Sequence, residues 1–244
     1  MKPILNIFQR NTTAPKTTES GNAAARGNKY GEQIVSTLNQ FQFGVEGSAY
    51  SVTTPTPGTG IALTIGAQTT FNALAPALLI RNSGSTALDA DLIMRRLRLI
   101  CTATGTALTS LESAIVIDTA NRYTSGGLPM TPNNNNTSVS TPSNAQVYNA
   151  STAIVAAAVG AGTRIVNRSK VRTGIPVVGD EYVFNFGAEP TPETGAISGT
   201  AAARFGCGLG PVVIAPGGTF LFYLWGPSQT AAPSYELTLE YVER

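Results

Sequence analysis

The residues that could do chemistry in this chain are carboxylates, basic side chains, hydroxyls and two thiols, because its 244 residues include no histidine. Histidine is the commonest general acid or base and the commonest metal ligand. Its absence excludes Ser-His-Asp triads, Cys-His dyads and histidine-based zinc sites built within this chain. Cys101 and Cys207 lie far apart in the sequence and cannot form a zinc knuckle or an iron–sulfur cluster alone. We expect no metal, no cofactor and two reduced, buried thiols, with a disulfide between them as the less favoured alternative.

The main acidic cluster consists of Asp180 and Glu181, with Glu189 and Glu193 nearby. A glycosidase needs two carboxylates about 5–10 Å apart on either side of the sugar. Adjacent residues of a strand point to opposite faces, so Asp180 and Glu181 cannot form such a pair. We expect them to cap a turn after Gly179, and we predict no catalytic residue.

A basic stripe is the strongest charge feature of the chain body. Alternation places Arg164, Arg168, Lys170 and Arg172 on one face of a strand. Such a stripe is typical of a solvent-exposed strand face, and it also suits docking to an acidic partner. Nucleic acid is disfavoured because no aromatic residues are interleaved to stack bases. A solvated strand face is the leading interpretation, and a docking face formed by these four residues is the alternative.

Two further motifs have structural explanations. The run Gly206–Gly210 resembles a phosphate-binding glycine loop, but a strand-like segment follows it where a helix would be required. We predict a tight bend or bulge there. Phe222, Tyr223 and Trp225 occupy an apolar run with hydrophobic residues on both faces. This pattern indicates a strand in the sandwich core or beneath an oligomer contact, and these three residues are the candidates for such a subunit contact.

The elements that position these residues are short alternating runs separated by Gly, Pro and Asn turns. The runs predict strands over residues 33–38, 41–45, 61–65, 77–81, 91–102, 113–118, 180–186, 220–225 and 235–241. Residues 124–143 are rich in Asn, Pro, Ser and Thr and predict one long surface loop. Residues 153–159 fit either a short helix or a strand. The pattern predicts an all-β chain, specifically a jelly-roll β-sandwich.

The first thirty residues differ in charge from the rest. They carry five basic residues and one acidic residue, whereas residues 31–244 carry 11 basic and 13 acidic residues. Residues 11–28 contain almost no bulky apolar side chain and cannot bury enough surface to pack alone. We therefore predict an extended arm over 1–30 and a β-sandwich domain over 31–244. The residues predicted to bind a partner through the arm are Lys2, Arg10, Lys16, Arg26 and Lys29.

The sequence predicts no membrane-spanning helix, because such a helix needs about 18–20 apolar residues and no apolar run approaches that length. Its beginning lacks the long apolar stretch of a signal peptide, so we expect no Sec export. The net charge of +2 argues against a dedicated nucleic-acid binder.

Several turn-and-strand segments resemble uncharacterised structural proteins of tailed bacteriophages. The segments that carry the resemblance are 26–32, 55–62, 117–127, 175–182 and 224–229. The resemblance implies a virion component, of the head decoration or auxiliary capsid type, that is made in the bacterial host cytoplasm. It also implies the major capsid protein or other virion proteins as partners.

Three functions remain open from the sequence. The first is a non-enzymatic, homo-oligomeric structural protein that decorates or cements the capsid through its arm and subunit contacts. The second is a carbohydrate- or receptor-binding module of a phage tail or fibre, which would need exposed aromatic side chains or a Ca²⁺ site. The third is a polysaccharide hydrolase that uses carboxylates alone.

Overall fold

The computed structural model describes residues 40–63, 68–84, 89–187 and 196–244. Within them the chain forms one seven-residue helix, α1 (Gln40–Glu46), and fourteen strands. The strands are β1 (Ala49–Thr53), β2 (Ile61–Ala62), β3 (Leu78–Asn82), β4 (Leu92–Ala103), β5 (Ser110–Asp118), β6 (Tyr123–Met130), β7 (Asn133–Asn134), β8 (Ala145–Ala156), β9 (Arg164–Thr173), β10 (Glu181–Phe186), β11 (Arg204–Leu209), β12 (Val213–Ile214), β13 (Thr219–Trp225) and β14 (Ser234–Glu243).

The strands form two sheets packed as a sandwich, which confirms the all-β prediction. The eight-stranded sheet has the order β11-β10-β4-β14-β1-β7, with β12 added to β4 and β2 added to β14. The six-stranded sheet has the order β6-β8-β3-β13-β5-β9. The β10–β11 pair is parallel, and the other pairs are antiparallel.

The main hydrophobic core lies between the sheets and is made of alternate residues from both. Phe184 of the eight-stranded sheet meets Phe222 of the six-stranded sheet edge to face, with ring centroids 5.5 Å apart. Phe186 and Phe220 form a second such pair at 5.8 Å. Such pairs add to the free energy already gained by burying the rings.

A second apolar cluster covers the outer face of the six-stranded sheet. Its largest members are Leu79, Leu221, Tyr223 and Trp225. Residues 68–77, which we call the strap, cross this face. The Tyr223 hydroxyl donates a hydrogen bond to the Ala73 carbonyl, and the Phe71 ring centroid lies 4.9 Å from that of Tyr223. β13 is therefore buried on both faces.

Most of the predicted strands are confirmed, including those near 77–81, 91–102, 113–118, 180–186, 220–225 and 235–241. The strand predicted over 61–65 is described only at Ile61–Ala62. The Ala-rich residues 153–156, for which helix and strand were both open, lie in β8. The strand predicted over 33–38 lies outside the described residues.

Three local predictions were wrong. Residues 41–45 belong to α1, which ends in a Schellman motif: Gly47 adopts a φ of 71°, and the Ser48 amide bonds to the Phe43 carbonyl at 3.0 Å. Residues 124–143 are not one loop, because β6 and β7 pair with β8 and β1. The 206–210 glycines lie in or directly after β11, where Gly206 and Gly208 alternate with buried Phe205 and Cys207.

Candidate functional site

The arm residues Lys2, Arg10, Lys16, Arg26 and Lys29 lie outside the described residues, as do Glu189 and Glu193. The described part of the chain begins with α1, which follows the predicted arm in the sequence. Phe43 of α1 is buried, and the Arg244 guanidinium carbon lies 5.9 Å from its ring centroid. Asn134 and Asn136 donate side-chain hydrogen bonds to the carbonyls of Gly47 and Val45. Helix α1 is thus anchored to the sandwich.

The basic stripe is not one continuous face, because β9 contains two bulges. Val166 and Val171 are extra residues relative to β5, as the register with β5 shifts at both points. Each bulge moves the following side chains to the other face. Arg168 and Lys170 lie opposite Ala114 and Glu112 on the outer face, whereas Arg164 lies opposite Ile117, whose side chain packs against the main core.

Arg172 is the residue for which the docking prediction was wrong. The second bulge places it opposite Leu111, on the core side of β9, and its side chain is completely buried. It forms an ion pair with Asp180, with Nη1 of Arg172 2.7 Å from Oδ2 of Asp180. A buried arginine cannot contribute to a docking surface.

Asp180 caps the turn that precedes β10, as predicted. Its carboxylate accepts hydrogen bonds from the amides of Val177 (2.7 Å) and Ala203 (3.0 Å), and from the Tyr182 hydroxyl at 3.1 Å. Arg172 in turn donates to the carbonyls of Ile175 and Gly199. This cluster joins β9 to the 174–180 and 196–203 segments. Both oxygens of the Asp180 carboxylate already accept hydrogen bonds from these donors.

Glu181 faces away from Asp180, on the outer face of the eight-stranded sheet. It forms ion pairs with Arg98 and Arg204. The predicted opposite orientation of this adjacent acidic pair is confirmed. The two carboxylates cannot act on one sugar from opposite sides.

The aromatic run 220–225 lies in the core, which is one of the two alternatives that the sequence left open. Phe222, Tyr223 and Trp225 are between 0% and 4% exposed. Phe222 packs between the sheets, and the strap residue Phe71 covers Trp225 with a ring-centroid distance of 5.6 Å. Arg168 lies 6.0 Å from the centroid of the Trp225 ring. These aromatic side chains are covered by other residues of the same chain.

A second buried ion pair joins the strap to the turn after β5. Arg122 lies 3.3 Å from Asp118, and both side chains are at most 3% exposed. Arg122 also donates to the carbonyls of Ala157 (2.7 Å) and Ala73 (3.1 Å). Burial by itself raises the pKa of Asp118, but hydrogen bonds from Thr163 and the Ala120 amide, together with Arg122, hold that pKa below its ordinary value.

Both cysteines are free thiols and are buried, as predicted. Register places Leu97, Phe184 and Cys207 in one row across β4, β10 and β11, and Cys101 lies four residues beyond Leu97. The two Cα atoms are therefore about 10 Å apart across the sheet and about 13 Å apart along it. A disulfide needs Cα atoms within about 7 Å.

A stacked pair of partly exposed aromatic side chains, Tyr123 and Tyr148, lies on the outer face of the six-stranded sheet. Their ring centroids are 4.2 Å apart and their planes differ by 12°. The Tyr123 hydroxyl donates to the Gly126 carbonyl at 3.0 Å. The Tyr148 hydroxyl donates to Oε1 of Gln146 at 3.4 Å. Both rings are partly exposed.

A bulge between β6 and β8 brings the two tyrosines together. Gly126 pairs with Ile154 and Leu128 pairs with Asn149, so the four residues 150–153 of β8 lie opposite the single residue Gly127 of β6. Gly126 and Gly127 have φ values of 75° and 74°, which favour glycine. Asn149 stabilises the bulge by donating to the Leu128 carbonyl at 3.2 Å and accepting from the Ser151 amide at 2.9 Å.

Sequence reasoning missed this pair because it read 124–143 as a loop and did not pair β6 with β8. The adjacent glycines were the available signal, since consecutive glycines beside alternating residues mark a bulge or turn. It also missed Arg122 and Asp118. Their spacing of four residues is a weak signal, and a turn rather than a helix joins them.

In the part of the chain that the structure describes, no three Cys, Asp or Glu side chains are grouped so that they could hold a metal ion. The same residues contain no helix of the length and apolar character needed to span a membrane. No family model, curated protein or solved structure matches the chain.

Proposed function

We propose that this chain is a non-enzymatic structural protein of a phage particle, which decorates or cements the capsid through its N-terminal arm and subunit contacts. Its likeness in turn-and-strand segments to tailed-phage structural proteins is one support. We further propose that it acts as a homo-oligomer in the virion, with the major capsid protein or other virion proteins as partners.

The observation that carries the proposal is the strand order. Eight of the strands form two blocks of four neighbouring strands, one block in each sheet. They are β1, β3, β4, β5, β9, β10, β13 and β14. In one sheet they run β10-β4-β14-β1, and in the other they run β3-β13-β5-β9. This arrangement supports a jelly roll, an architecture that recurs in viral capsid proteins and in lectins.

The connections between these strands support the same fold. Successive strands of the eight alternate between the sheets, except that β5 and β9 are neighbours in one sheet. β6, β7 and β8 are then an insertion between β5 and β9, which extends both sheets on the side of β1 and β3. Because a fold does not determine a function, the argument from architecture to the virion is one of analogy.

The anchoring of α1 to the sandwich provides a second support. A segment with five basic residues and one acidic residue precedes a helix that is fixed to the sandwich by Phe43 and Arg244. A basic arm on a rigid body suits attachment to an acidic shell surface, since complementary charge steers association. Ordering such an arm costs about 1–2 kcal/mol per residue in backbone entropy, so many contacts are needed.

The non-enzymatic part of the proposal is supported by how the buried carboxylates are used. Asp118 and Asp180 each accept several hydrogen bonds and an arginine ion pair. They hold segments of the chain together and are saturated with donors. The surface Glu181 is shared between two arginines.

The test is deletion of residues 1–30, followed by co-sedimentation with phage particles assembled without the protein. We expect binding to be lost while the thermal unfolding temperature of the remaining chain is unchanged. A matched control keeps the arm and changes its five basic residues to Gln, which should weaken binding strongly at low salt. Undiminished binding of the truncated chain would overturn the attachment role. Cryo-EM localisation then separates a capsid position from a tail position.

The second candidate function, a carbohydrate- or receptor-binding module of a tail or fibre, is favoured by the stacked tyrosines. The sequence left this function dependent on exposed aromatic side chains. Tyr123 and Tyr148 provide such a surface on the six-stranded sheet. A saturable glycan-array signal would favour this role over decoration alone.

A further inference from the structure

The outer face of the six-stranded sheet carries a compact group of recognition side chains beside the stacked tyrosines. In the register of β3 with β8, Leu79 lies opposite Tyr148 and Arg81 lies opposite Gln146. Paired residues of antiparallel strands project from the same face, and so do residues two apart. Tyr148, Gln146 and Arg81 therefore share the outer face, with Tyr123 stacked on Tyr148.

We propose that Tyr123, Tyr148, Arg81 and Gln146 form a binding site for a glycan that carries a carboxylate, such as a uronic or sialic acid. The tyrosine rings would pack against the apolar face of a sugar ring. Arg81 would pair with the sugar carboxylate, and the Gln146 amide would bind a hydroxyl. The proposal rests on the carbohydrate-binding role given above as the second candidate function, for which it names the ligand class, and it does not depend on the capsid role.

The first argument for this site is the unpaired cation. Among the described residues, no carboxylate lies within the 4.0 Å of an ion pair with Arg81; the same holds for Arg95, Arg164, Arg168, Lys170 and Arg244, but the strand register places Arg81 beside Gln146 and Tyr148. Arg81 is close enough to Tyr148 to oppose the rise that burial causes in the pKa of that tyrosine. The Arg81 guanidinium and the tyrosine stack are therefore close enough to contact one ligand. An arginine binds a carboxylate with two parallel hydrogen bonds.

The second argument is the backbone arrangement that produces the stack. A Cβ at Gly126 would lie 1.9 Å from the Ala153 carbonyl oxygen, and a Cβ at Gly127 would lie 2.9 Å from Cβ of Tyr148. Both glycines are therefore required for the close approach of β6 to β8. Bulges of this kind are frequent beside functional sites, where they redirect side chains.

The third argument is that these rings do more than cover the apolar cluster beneath them. Aliphatic side chains would cover Leu79 and Ile154 equally well without placing hydroxyl groups at the surface. Tyr123 and Tyr148 instead keep partly exposed rings and hold their hydroxyls in hydrogen bonds. Flat aromatic surfaces combined with a few polar groups are typical of small-ligand sites.

A glycan fits this group better than a nucleic acid does. One unpaired arginine suits a single carboxylate, whereas nucleic-acid binding draws on several cations that follow the phosphate backbone. Arg168 and Lys170 of the same face are on β9, at the opposite edge of the sheet from β6 and β8. They are too distant to extend the site.

The experiment is isothermal titration calorimetry on the full chain with four probes. Two carry carboxylates, a galacturonic acid trisaccharide and sialyllactose; a galactose trisaccharide and lactose are their neutral counterparts. We expect saturable binding to at least one acidic probe and weaker binding to its neutral counterpart. Arg81→Gln should weaken binding of the acidic probe by about 10- to 100-fold, the usual effect of losing a charged hydrogen bond, and should leave the neutral probe unaffected.

The aromatic contribution is tested with Tyr123→Leu, which keeps apolar cover over the sheet but removes the flat ring. It should weaken binding of the acidic and neutral probes alike, and thermal unfolding verifies that the variant is folded. Arg204→Gln, on the other sheet, and Phe71→Ala, on the strap, are controls that should bind as the wild type does. The proposal is overturned if no acidic probe binds saturably, if Arg81→Gln binds normally, or if a single-stranded oligonucleotide displaces the bound sugar.

Discussion

Arg172 and Asp180 form an ion pair from which water is completely excluded: Nη1 of Arg172 lies 2.7 Å from Oδ2 of Asp180, and neither side chain has any exposed surface. Two charges can be buried in this way only when hydrogen bonds compensate for lost hydration. Here the pair is surrounded by the Val177 and Ala203 amides and the Ile175 carbonyl. The pair therefore holds the 174–180 and 196–203 segments against β9, and we call Arg172 and Asp180 the clasp.

Removing one partner of this clasp should be costly. Arg172→Met leaves the Asp180 carboxylate buried without its cation, and we expect the free energy of unfolding to fall by about 3–5 kcal/mol. The double variant Arg172→Met with Asp180→Leu should lose less than the two single variants combined, because no charge remains. Urea denaturation measures all three. The control is Arg98→Met, which breaks a surface pair with Glu181 and should cost only about 0–1 kcal/mol; equal losses for Arg98→Met and Arg172→Met would contradict the clasp.

Asp118 should contribute to the pH dependence of stability. Its pKa is lowered in the folded chain, so the folded state favours the carboxylate. The stabilisation is present above the unfolded value of about 3.9 and is lost as the pH falls through the folded pKa. Asp118→Asn should therefore be less stable than the wild type at pH 7, and the difference should shrink below about pH 4. Unfolding free energies measured across pH test this, and a difference independent of pH would refute it.

Gly126 should be intolerant of any side chain. Gly126→Ala would place a Cβ 1.9 Å from the Ala153 carbonyl oxygen at a φ of 75°. We expect a loss of at least about 2 kcal/mol from the clash and the strained backbone. Gly160→Ala is the matched control, because a Cβ there meets nothing within 4 Å, and it should change stability by roughly 0.5 kcal/mol at most. If both variants melted at the wild-type temperature, the described β6–β8 bulge would be wrong.

The two thiols should be protected in the native chain. Burial raises the pKa of Cys101 to about 11, and Cys207 is buried beside Phe184 and Phe205 in the core. We expect little reaction with Ellman's reagent at pH 8 and release of two thiol equivalents once the chain is denatured, without a reductant. Fewer than two equivalents in denaturant would indicate a disulfide or another modification, contrary to the strand positions of the two cysteines.

The sequence alone was sufficient to predict the all-β class, most of the long strands and the orientation of residues that follow strict alternation. Tyr235, Leu237, Leu239 and Tyr241 alternate with polar residues in the sequence, and all four are buried in the structure. The opposite orientation of Asp180 and Glu181 followed from the same rule. Alternation is a local property of an extended backbone, so it can be read without knowledge of the partner strands.

The tertiary structure decided where that alternation is interrupted. The bulge at Val171 places Arg172 in the core although its spacing from Lys170 predicts the same face, and the bulge between β6 and β8 produces the Tyr123–Tyr148 stack. A bulge exists only relative to a neighbouring strand, and these neighbours are distant in the sequence. A shift of one residue moves every following side chain to the other face. The candidate site therefore depends on strand pairing, which the residue pattern of a single strand does not encode.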